Sequence, residues 1–163
     1  MVRNSLVIAA AALAATPALG APVKEATFGD WSVYRASEAG REVCYAVTAP
    51  LDAAPKAFNH GDVFMIVSSW KGEGAVEPSF HAGYPLKPSR APEMKVAYSA
   101  FDSFADENEA FIADRGEERQ LVESMKDGAT MRVEATAEDG GFAAYEFSLS
   151  GVTAAINRIG SSC

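Results

Sequence analysis

The chain has 163 residues and a formal net charge of −8, with 22 acidic side chains against 14 basic ones. Proteins that bind nucleic acid present basic patches to the phosphates, so we expect no nucleic-acid partner for a chain this acidic. Its length corresponds to one ordinary domain, which can bury a core without a stabilising metal, and we expect no cofactor.

The N-terminal stretch has the pattern of a secretory signal peptide. Arg3 supplies a positive charge, an apolar run covers residues 6–15, and small residues lead to Gly20. The run is shorter than the roughly 20 residues that span a bilayer, so we predict cleavage near Gly20 and no membrane span. Residues 21–163 would then form a single β-rich domain in the periplasm or outside the cell.

After the signal peptide, apolar and polar residues alternate in many short runs, the pattern of half-buried β-strands. Residues 21–27 precede the first run and are expected to be a flexible lead-in, and 49–61 is expected to be a loop. The run 62–70 is apolar on both faces, which indicates a central strand covered on both sides. Pro78 indicates a sheet edge or a bulge. The predicted strands lie at 31–34, 43–48, 62–70, 75–81, 94–99, 131–134 and 142–149, with a short hairpin over 101–114.

Two peripheral helices are predicted late in the chain. The first begins at Asp114, which forms a capping-box pattern with Glu117, and ends before Gly128. The second follows Ser150 as its N-cap and ends at Gly160, with one apolar stripe for the core. These helices cover about 114–127 and 150–159. Many short strands with two such helices predict a mainly β fold, an antiparallel β-sandwich or open barrel.

The chain has two cysteines, Cys44 in a predicted strand and Cys163 at the last residue. Export leads to an oxidising compartment, where cysteines tend to pair. Redox motifs usually place their cysteines close together, so the wide separation favours a structural bond. We predict a Cys44–Cys163 disulfide that ties the C-terminal tail to the second strand. Pairing with a partner molecule and two free thiols are the alternatives.

No catalytic or metal-binding motif stands out. His60 and His81 could each act as a base, but no G-x-S-x-G motif accompanies them, and their spacing is not that of metal ligands. The acidic residues between Asp102 and Glu109 are expected to be a solvated hairpin tip. Among the aromatic residues, Trp31 is expected to fill the core, as is Trp70. We therefore expect that the protein is not an enzyme.

A loop that contains a Tyr-Pro pair is the best candidate for a contact surface, because binding residues concentrate on loops held by a rigid scaffold. The predicted contact residues are Tyr84, Lys87 and Arg90.

Several stretches resemble, in order, the invasion-associated locus B family of exported alphaproteobacterial proteins. The motifs are FGDWSVY, VCYAV, FMIVSSW, AGYPL, LVESMKDGATMRV and SLSGVTAAI, and together they cover nearly all of residues 21–163. Val152 departs from the pattern, where Phe is expected. The resemblance implies a β-rich envelope protein with a role in host-cell interaction or invasion, and it assigns no reaction.

Three functions of different classes are considered, and the third is a hydrolase whose site shows no known motif. The first is an exported envelope protein that acts by binding a protein partner in the envelope or on a host cell. The alternative is a periplasmic carrier of a small apolar ligand held between the sheets. An exposed aromatic patch over a closed core favours the first, and an apolar cavity of several hundred Å³ favours the second.

Overall fold

The computed structural model describes residues 21–163, so the predicted signal peptide lies outside the described residues. Its strands, in chain order, are β1 (Val23–Phe28), β2 (Trp31–Glu38), β3 (Arg41–Thr48), β4 (Asp52–Ala54), β5 (Phe64–Trp70), β6 (Glu77–His81), β7 (Glu93–Val96), β8 (Ser99–Asp102), β9 (Phe104–Asp106), β10 (Glu109–Phe111), β11 (Thr130–Thr136) and β12 (Phe142–Ser148). The helices are α1 (Arg115–Asp127) and α2 (Val152–Ser162), with one turn of 3₁₀ helix at Pro88–Arg90.

Within residues 21–163 the strands form two antiparallel sheets. One has seven strands in the order β1-β2-β3-β5-β6-β10-β9, and the other has five in the order β4-β12-β11-β7-β8. Each sheet keeps two edge strands, so neither closes into a barrel, and the predicted β-sandwich is confirmed. Large side chains from both sheets meet between them. The fully buried ones include Trp31, Met65, Phe80, Tyr145 and Phe147.

Trp31 joins the two sheets by a hydrogen bond as well as by its bulk. Its indole Nε1 donates to the carbonyl oxygen of Ser148 at 3.0 Å, from β2 to β12. A buried indole N–H needs such a partner, and this one satisfies it inside the core. The prediction that Trp70 fills the core was wrong, because its side chain is half-buried on the outer face of β5. The guanidinium of Arg41 lies over its ring, with Cζ 4.6 Å from the ring centroid.

Two expectations about loops were wrong. Residues 21–27 are not a flexible lead-in, because Val23–Phe28 form β1 and pair with β2. The segment 49–61 contains β4, three residues that pair with β12. Both strands lie at sheet edges, and their side chains are mostly exposed. They therefore lack the apolar alternation by which a half-buried strand is recognised.

The central strand β5 is covered on one face only. Met65, Val67 and Ser69 are buried, whereas Phe64 and Ile66 are half-buried on the outer face of the sheet. The apolar run 62–70 therefore led to a prediction of too much burial for this strand. Among residues 21–163, Phe64 and Ile66 on its outer face stay partly exposed. Pro78 of β6 pairs with β5, and the pairing of β6 with β10 stops one residue later, at Ser79. The proline therefore occupies a local edge, as a residue without an N–H requires.

Helix α1 begins as predicted, with Asp114 as its N-cap. The carboxylate accepts hydrogen bonds from the N–H of Gly116 at 2.8 Å and of Glu117 at 3.0 Å. This cap satisfies two of the N–H groups that have no partner within the helix.

Helix α2 differs from the prediction at both ends. Its N-cap is Gly151 and not Ser150, at a φ of 90°, and a Cβ there would lie 2.0 Å from the carbonyl oxygen of Phe28. Only glycine fits such a close approach in this left-handed conformation. The helix also continues through Gly160, and the N–H of Cys163 donates to the carbonyl of Ile159 at 3.0 Å.

The structure joins Cys44 and Cys163 by a disulfide with a Cα–Cα distance of 5.8 Å. The bond attaches the end of α2 to β3, and it closes a loop with a sequence separation of 119. At the other end of the described chain, β1 pairs with β2, which is the neighbour of β3. The first strand and the last helix are therefore both attached where β1, β2 and β3 lie side by side. No helix among residues 21–163 is long and apolar enough to cross a membrane.

Candidate functional site

Two loops cross at a glycine contact at one end of the sandwich. Gly61 and Gly83 lie so close that a Cβ on Gly83 would be 2.4 Å from the carbonyl oxygen of His60, and one on Gly61 would be 2.6 Å from that of Gly83. Only residues without a Cβ permit this approach. The crossing brings His60 of the first loop next to Tyr84 of the second.

The acidic hairpin tip between β9 and β10 supports the second loop from its other side. The N–H of Leu86 donates to the carbonyl of Glu107 at 2.7 Å, and that of Ala82 donates to the carbonyl of Asn108 at 2.8 Å. The Glu107 side chain is exposed, as expected for a solvated tip, but the backbone of the tip holds the Tyr84 loop in place.

His60, Tyr145 and Tyr84 form a hydrogen-bonded chain under this surface. The Nδ1 of His60 is 2.9 Å from the Tyr145 hydroxyl, which is 3.0 Å from the Tyr84 hydroxyl. The Nε2 of His60 is 3.0 Å from the carbonyl oxygen of Pro55. A carbonyl oxygen only accepts, so Nε2 carries a proton and donates to Pro55, whereas the Tyr145 hydroxyl donates its one proton to the Tyr84 hydroxyl. Tyr145 is fully buried and anchors the network in the core.

Both tyrosine hydroxyls of this network stay protonated. Burial raises the pKa of Tyr145 far above its usual range, and the neighbouring Tyr84 raises it further. Burial also raises the pKa of Tyr84, although its hydrogen bond with Tyr145 opposes this. The pair therefore acts as hydrogen-bonding anchors and supplies no phenolate near neutral pH.

Tyr84 and Pro85 separate two shallow grooves, and we call this area the Tyr84 surface. The groove of about 570 Å³ on one side is lined by Leu86, Pro88, Glu107 and Asn108. The groove of about 630 Å³ on the other side is lined by residues 57–59 and 137–139. Phe58 packs edge-on against Tyr84, with ring centroids 5.0 Å apart. Glu138 lines both grooves, and no Lys or Arg lines either one.

The structure separates the three predicted contact residues. Tyr84 is at the centre of this surface, but neither Lys87 nor Arg90 lines the two grooves. Lys87 is half-buried, and its N–H donates to the carbonyl of Thr136, whereas Arg90 is exposed in the 3₁₀ turn. Sequence reasoning missed Phe58 and Tyr145 as neighbours of Tyr84. The glycines in the two loops are the signal that could have suggested the crossing.

The two histidines that were considered as bases lie in structural networks. His60 belongs to the chain under Tyr84, and the Nδ1 of His81 is 3.4 Å from a carboxylate oxygen of Glu109. In the part of the chain that the structure describes, neither ring is hydrogen-bonded to a serine or a cysteine. No group of three potential metal ligands occurs between residues 21 and 163.

The sandwich, with its two sheets and two helices, is similar to the crystal structure of invasion associated protein B from Bartonella henselae. The TM-score is 0.60 at 16% sequence identity, and the alignment covers 84% of this chain and 94% of that chain. The chain has the fold of invasion associated protein B. The resemblance inferred from the ordered motifs is thus confirmed at the level of the fold. The sequence matches no family model and no curated protein.

The fold of invasion associated protein B leaves the activity of this chain open, since one fold supports many functions. The functional argument must therefore come from the surfaces of this chain. The Tyr84 surface offers a fixed aromatic ring, a proline and a carboxylate rim, which are groups for recognition more than for bond-breaking chemistry.

Proposed function

We propose that the protein is an exported cell-envelope protein that works by binding a protein partner at the Tyr84 surface, without catalysis. The partner would lie in the envelope or on a host cell, in line with the role that the name of the similar Bartonella protein indicates. The disulfide is compatible with a location outside the cytoplasm.

The observation that carries this proposal is the way in which Tyr84 is held. Its ring is half-buried, and the ring of Phe58 packs against it, while its hydroxyl is fixed by the buried Tyr145. A side chain that is ordered before binding loses little conformational entropy when the partner arrives. Aromatic residues fixed in this way, with grooves beside them, are typical centres of protein interfaces.

The charges on this surface indicate the partner's chemistry. Glu107, Glu138 and Asp139 line the grooves without a basic residue among the lining positions. A complementary surface on the partner would carry Lys or Arg around an apolar centre, and the association should weaken as salt is added.

The carrier function has less support than surface binding. The inner faces of the sheets are filled by large aromatic and methionine side chains, among them the fully buried Phe80 and Phe147. The grooves described above open to the outside of the sandwich. An apolar ligand would therefore need to displace core side chains, at a cost of several kcal/mol for a core of this kind.

The test is capture followed by a quantitative binding measurement. Purified protein is immobilised, envelope and host-membrane proteins are captured, and the affinity of the purified partner is measured by surface plasmon resonance. Tyr84→Ser and Glu138→Lys should each weaken binding at least tenfold. The matched controls Tyr34→Ser, a half-buried tyrosine on β2, and Glu38→Lys, an exposed glutamate on the same strand, should not.

Equal affinity of the Tyr84 and Tyr34 variants would show that the Tyr84 surface is not the binding site. A fluorescent fatty acid that binds the wild type and the Tyr84→Ser variant equally well, at one site per chain, would favour the carrier function instead.

A further inference from the structure

The edges of the two sheets are not equally protected. β4 and β9 have three residues each. β1 carries a bulge between Lys24 and Ala26. Very short strands and bulges are devices that prevent another strand from pairing with an edge. β8 is one residue longer than β4 and β9, its four residues pair with β7 without a bulge, and its one charge, Asp102, is at the last position.

The free edge of β8 offers backbone hydrogen-bonding groups. Ser99 pairs with Val96 across a two-residue turn, and residues that flank such a turn exchange both of their hydrogen bonds. The pattern alternates along an antiparallel pair, so Ala100 directs its N–H and C=O away from β7. No backbone partner on that side is found for Ala100 among residues 21–163.

This edge lines a groove of about 1130 Å³ between β8, helix α1 and the loop 74–76. We call it the β8 groove. Ser99, Ala100 and Phe101 all line it, although successive side chains of a strand point to opposite faces. The edge itself therefore faces the groove. The lining positions on α1 continue from Arg115 to Lys126, so the groove follows the helix axis for nearly its whole length.

The wall formed by α1 carries three cationic side chains, Arg115, Arg119 and Lys126, beside two carboxylates, Glu118 and Glu123. Arg115 and Arg119 both line the groove, and neither has a carboxylate within 4.0 Å in the described part of the chain. Lys126 is paired with Glu123 at 2.7 Å. Burial and the nearby Glu77 raise the pKa of the Glu118 carboxyl, whereas Arg115 and Arg119 act to lower it.

We propose that the β8 groove binds an extended acidic segment of a partner protein, which adds to β8 as a further strand. The backbone of the segment pairs with the free edge at Ala100, and its carboxylates contact Arg115 and Arg119. Strand addition of this kind takes its affinity from main-chain hydrogen bonds and its specificity from alternate side chains.

The spacing of the two arginines defines the preferred segment. Arg115 and Arg119 are separated by four residues, a rise of about 6 Å along a helix. Residues i and i+2 of a strand lie on the same face about 6.6 Å apart. A segment with acidic residues at alternate positions therefore matches the arginines, and its other side chains face the opposite way. This site is separate from the Tyr84 surface and goes beyond the function proposed there, because no residue lines both.

Fluorescence anisotropy with short labelled peptides tests the proposal. The probe is Gly-Ser-Val-Glu-Val-Glu-Val-Glu-Ser-Gly. One control replaces each Glu by Lys, and another carries N-methyl groups on alternate backbone amides, which removes donors and leaves the charge. We expect the acidic probe to bind, and both controls to bind at least tenfold more weakly.

Two protein variants locate the binding. Ala100→Pro removes the outward N–H at a position where an edge strand tolerates proline, and it should abolish binding while the melting temperature stays close to that of the wild type. Arg115→Glu with Arg119→Glu should reverse the preference, so that the Lys peptide binds and the Glu peptide does not. The matched control Arg90→Glu is exposed and outside the groove, and it should bind as the wild type does.

The proposal is overturned if the N-methylated peptide binds as well as the probe, or if the double arginine variant keeps its preference for Glu. It is also overturned if sedimentation shows a dimer that Ala100→Pro dissociates, since a second copy then occupies the edge. Tyr84→Ser should leave peptide binding unchanged, so failure at one site is distinguishable from failure at the other.

Discussion

The edges at β1 and β8 lie in regions that are built in opposite ways. At β1 the edge has a bulge, and its Glu25 forms ion pairs with Arg35 of β2 at 2.6 Å and Arg158 of α2 at 3.2 Å. The Cys44–Cys163 bond fixes α2 beside it. At β8 the strand is regular, and the β8 groove runs beside it. The sandwich is thus covalently tied beside β1, whereas the outer side of β8 has no paired strand among residues 21–163.

The two helices differ in how their ends are held. Helix α2 has no side-chain N-cap, but its C-terminal end is held by the disulfide. Helix α1, which forms the wall of the β8 groove, relies on the Asp114 cap. Both helices bury an apolar face, and α2 adds a covalent bond at its C-terminal end, whereas α1 adds a side-chain cap at its N-terminal end.

Removal of the disulfide should have the largest effect on stability. The double change Cys44→Ser with Cys163→Ser opens a loop with a sequence separation of 119. The chain-entropy model then gives a loss of about 4–5 kcal/mol in the free energy of unfolding. Urea denaturation in oxidising buffer measures this loss. A reductant should lower the wild-type midpoint and leave that of the variant unchanged, and equal midpoints without reductant would contradict the prediction.

Loss of the cap on α1 should have a smaller effect, and it should extend to the β8 groove. Asp114→Ala removes two hydrogen bonds to the first turn and should cost about 1 kcal/mol in urea denaturation. Peptide binding should also weaken, because Arg115 is in that first turn. Asp114→Asn, which keeps an accepting oxygen, is the control. If the Ala and Asn variants have the same midpoint, the cap contributes nothing measurable.

A glycine in the turn that leads into β8 should stabilise the protein slightly. Ala97 has a φ of 52°, and Ala39, in the turn between β2 and β3, has one of 49°. Left-handed conformations cost non-glycine residues about 1–2 kcal/mol, and the greater freedom of glycine in the unfolded chain offsets part of any gain. Ala97→Gly and Ala39→Gly should each raise the free energy of unfolding by less than about 1 kcal/mol in urea denaturation. Ala100→Gly, at an extended strand position, should lower it.

The ion pairs of Glu25 should stabilise the protein at neutral pH, and this stabilisation should be lost in acid, when Glu25 is protonated. The hydrogen bond from Arg35 lowers the pKa of Glu25 in the folded protein, and Arg158 adds to this. Because the pKa of Glu25 is lower in the folded protein, its contribution to stability is present above the ordinary glutamate pKa of 4.5 and is lost as the pH falls through the pKa of the folded state. The difference in urea midpoint between wild type and Glu25→Gln should thus shrink below that pH. A difference that stays constant down to pH 3 would show that the ion pairs do not contribute.

The features that could be predicted from the sequence are those set by neighbours along the chain. Alternating apolar residues identified the buried strands, and the spacing of Asp114 and Glu117 located the start of α1. The predicted export and the count of cysteines led to the Cys44–Cys163 pair. Strand periodicity and helix capping act over a few residues, so the printed sequence already contains what decides them.

The remaining features depend on residues that meet only after folding. β1 and β4 have little apolar alternation of their own. They form strands because the neighbouring strands β2 and β12 pair with them. His60 and Tyr145 are 85 residues apart in sequence, and the Gly61–Gly83 crossing brings the first of them beside Tyr84. The open edge of β8 is likewise a property of sheet order. Most of the strands, the α1 cap and the cysteine pairing thus follow from the sequence, whereas the Tyr84 surface and the β8 groove depend on the tertiary structure, because each is formed where distant segments meet.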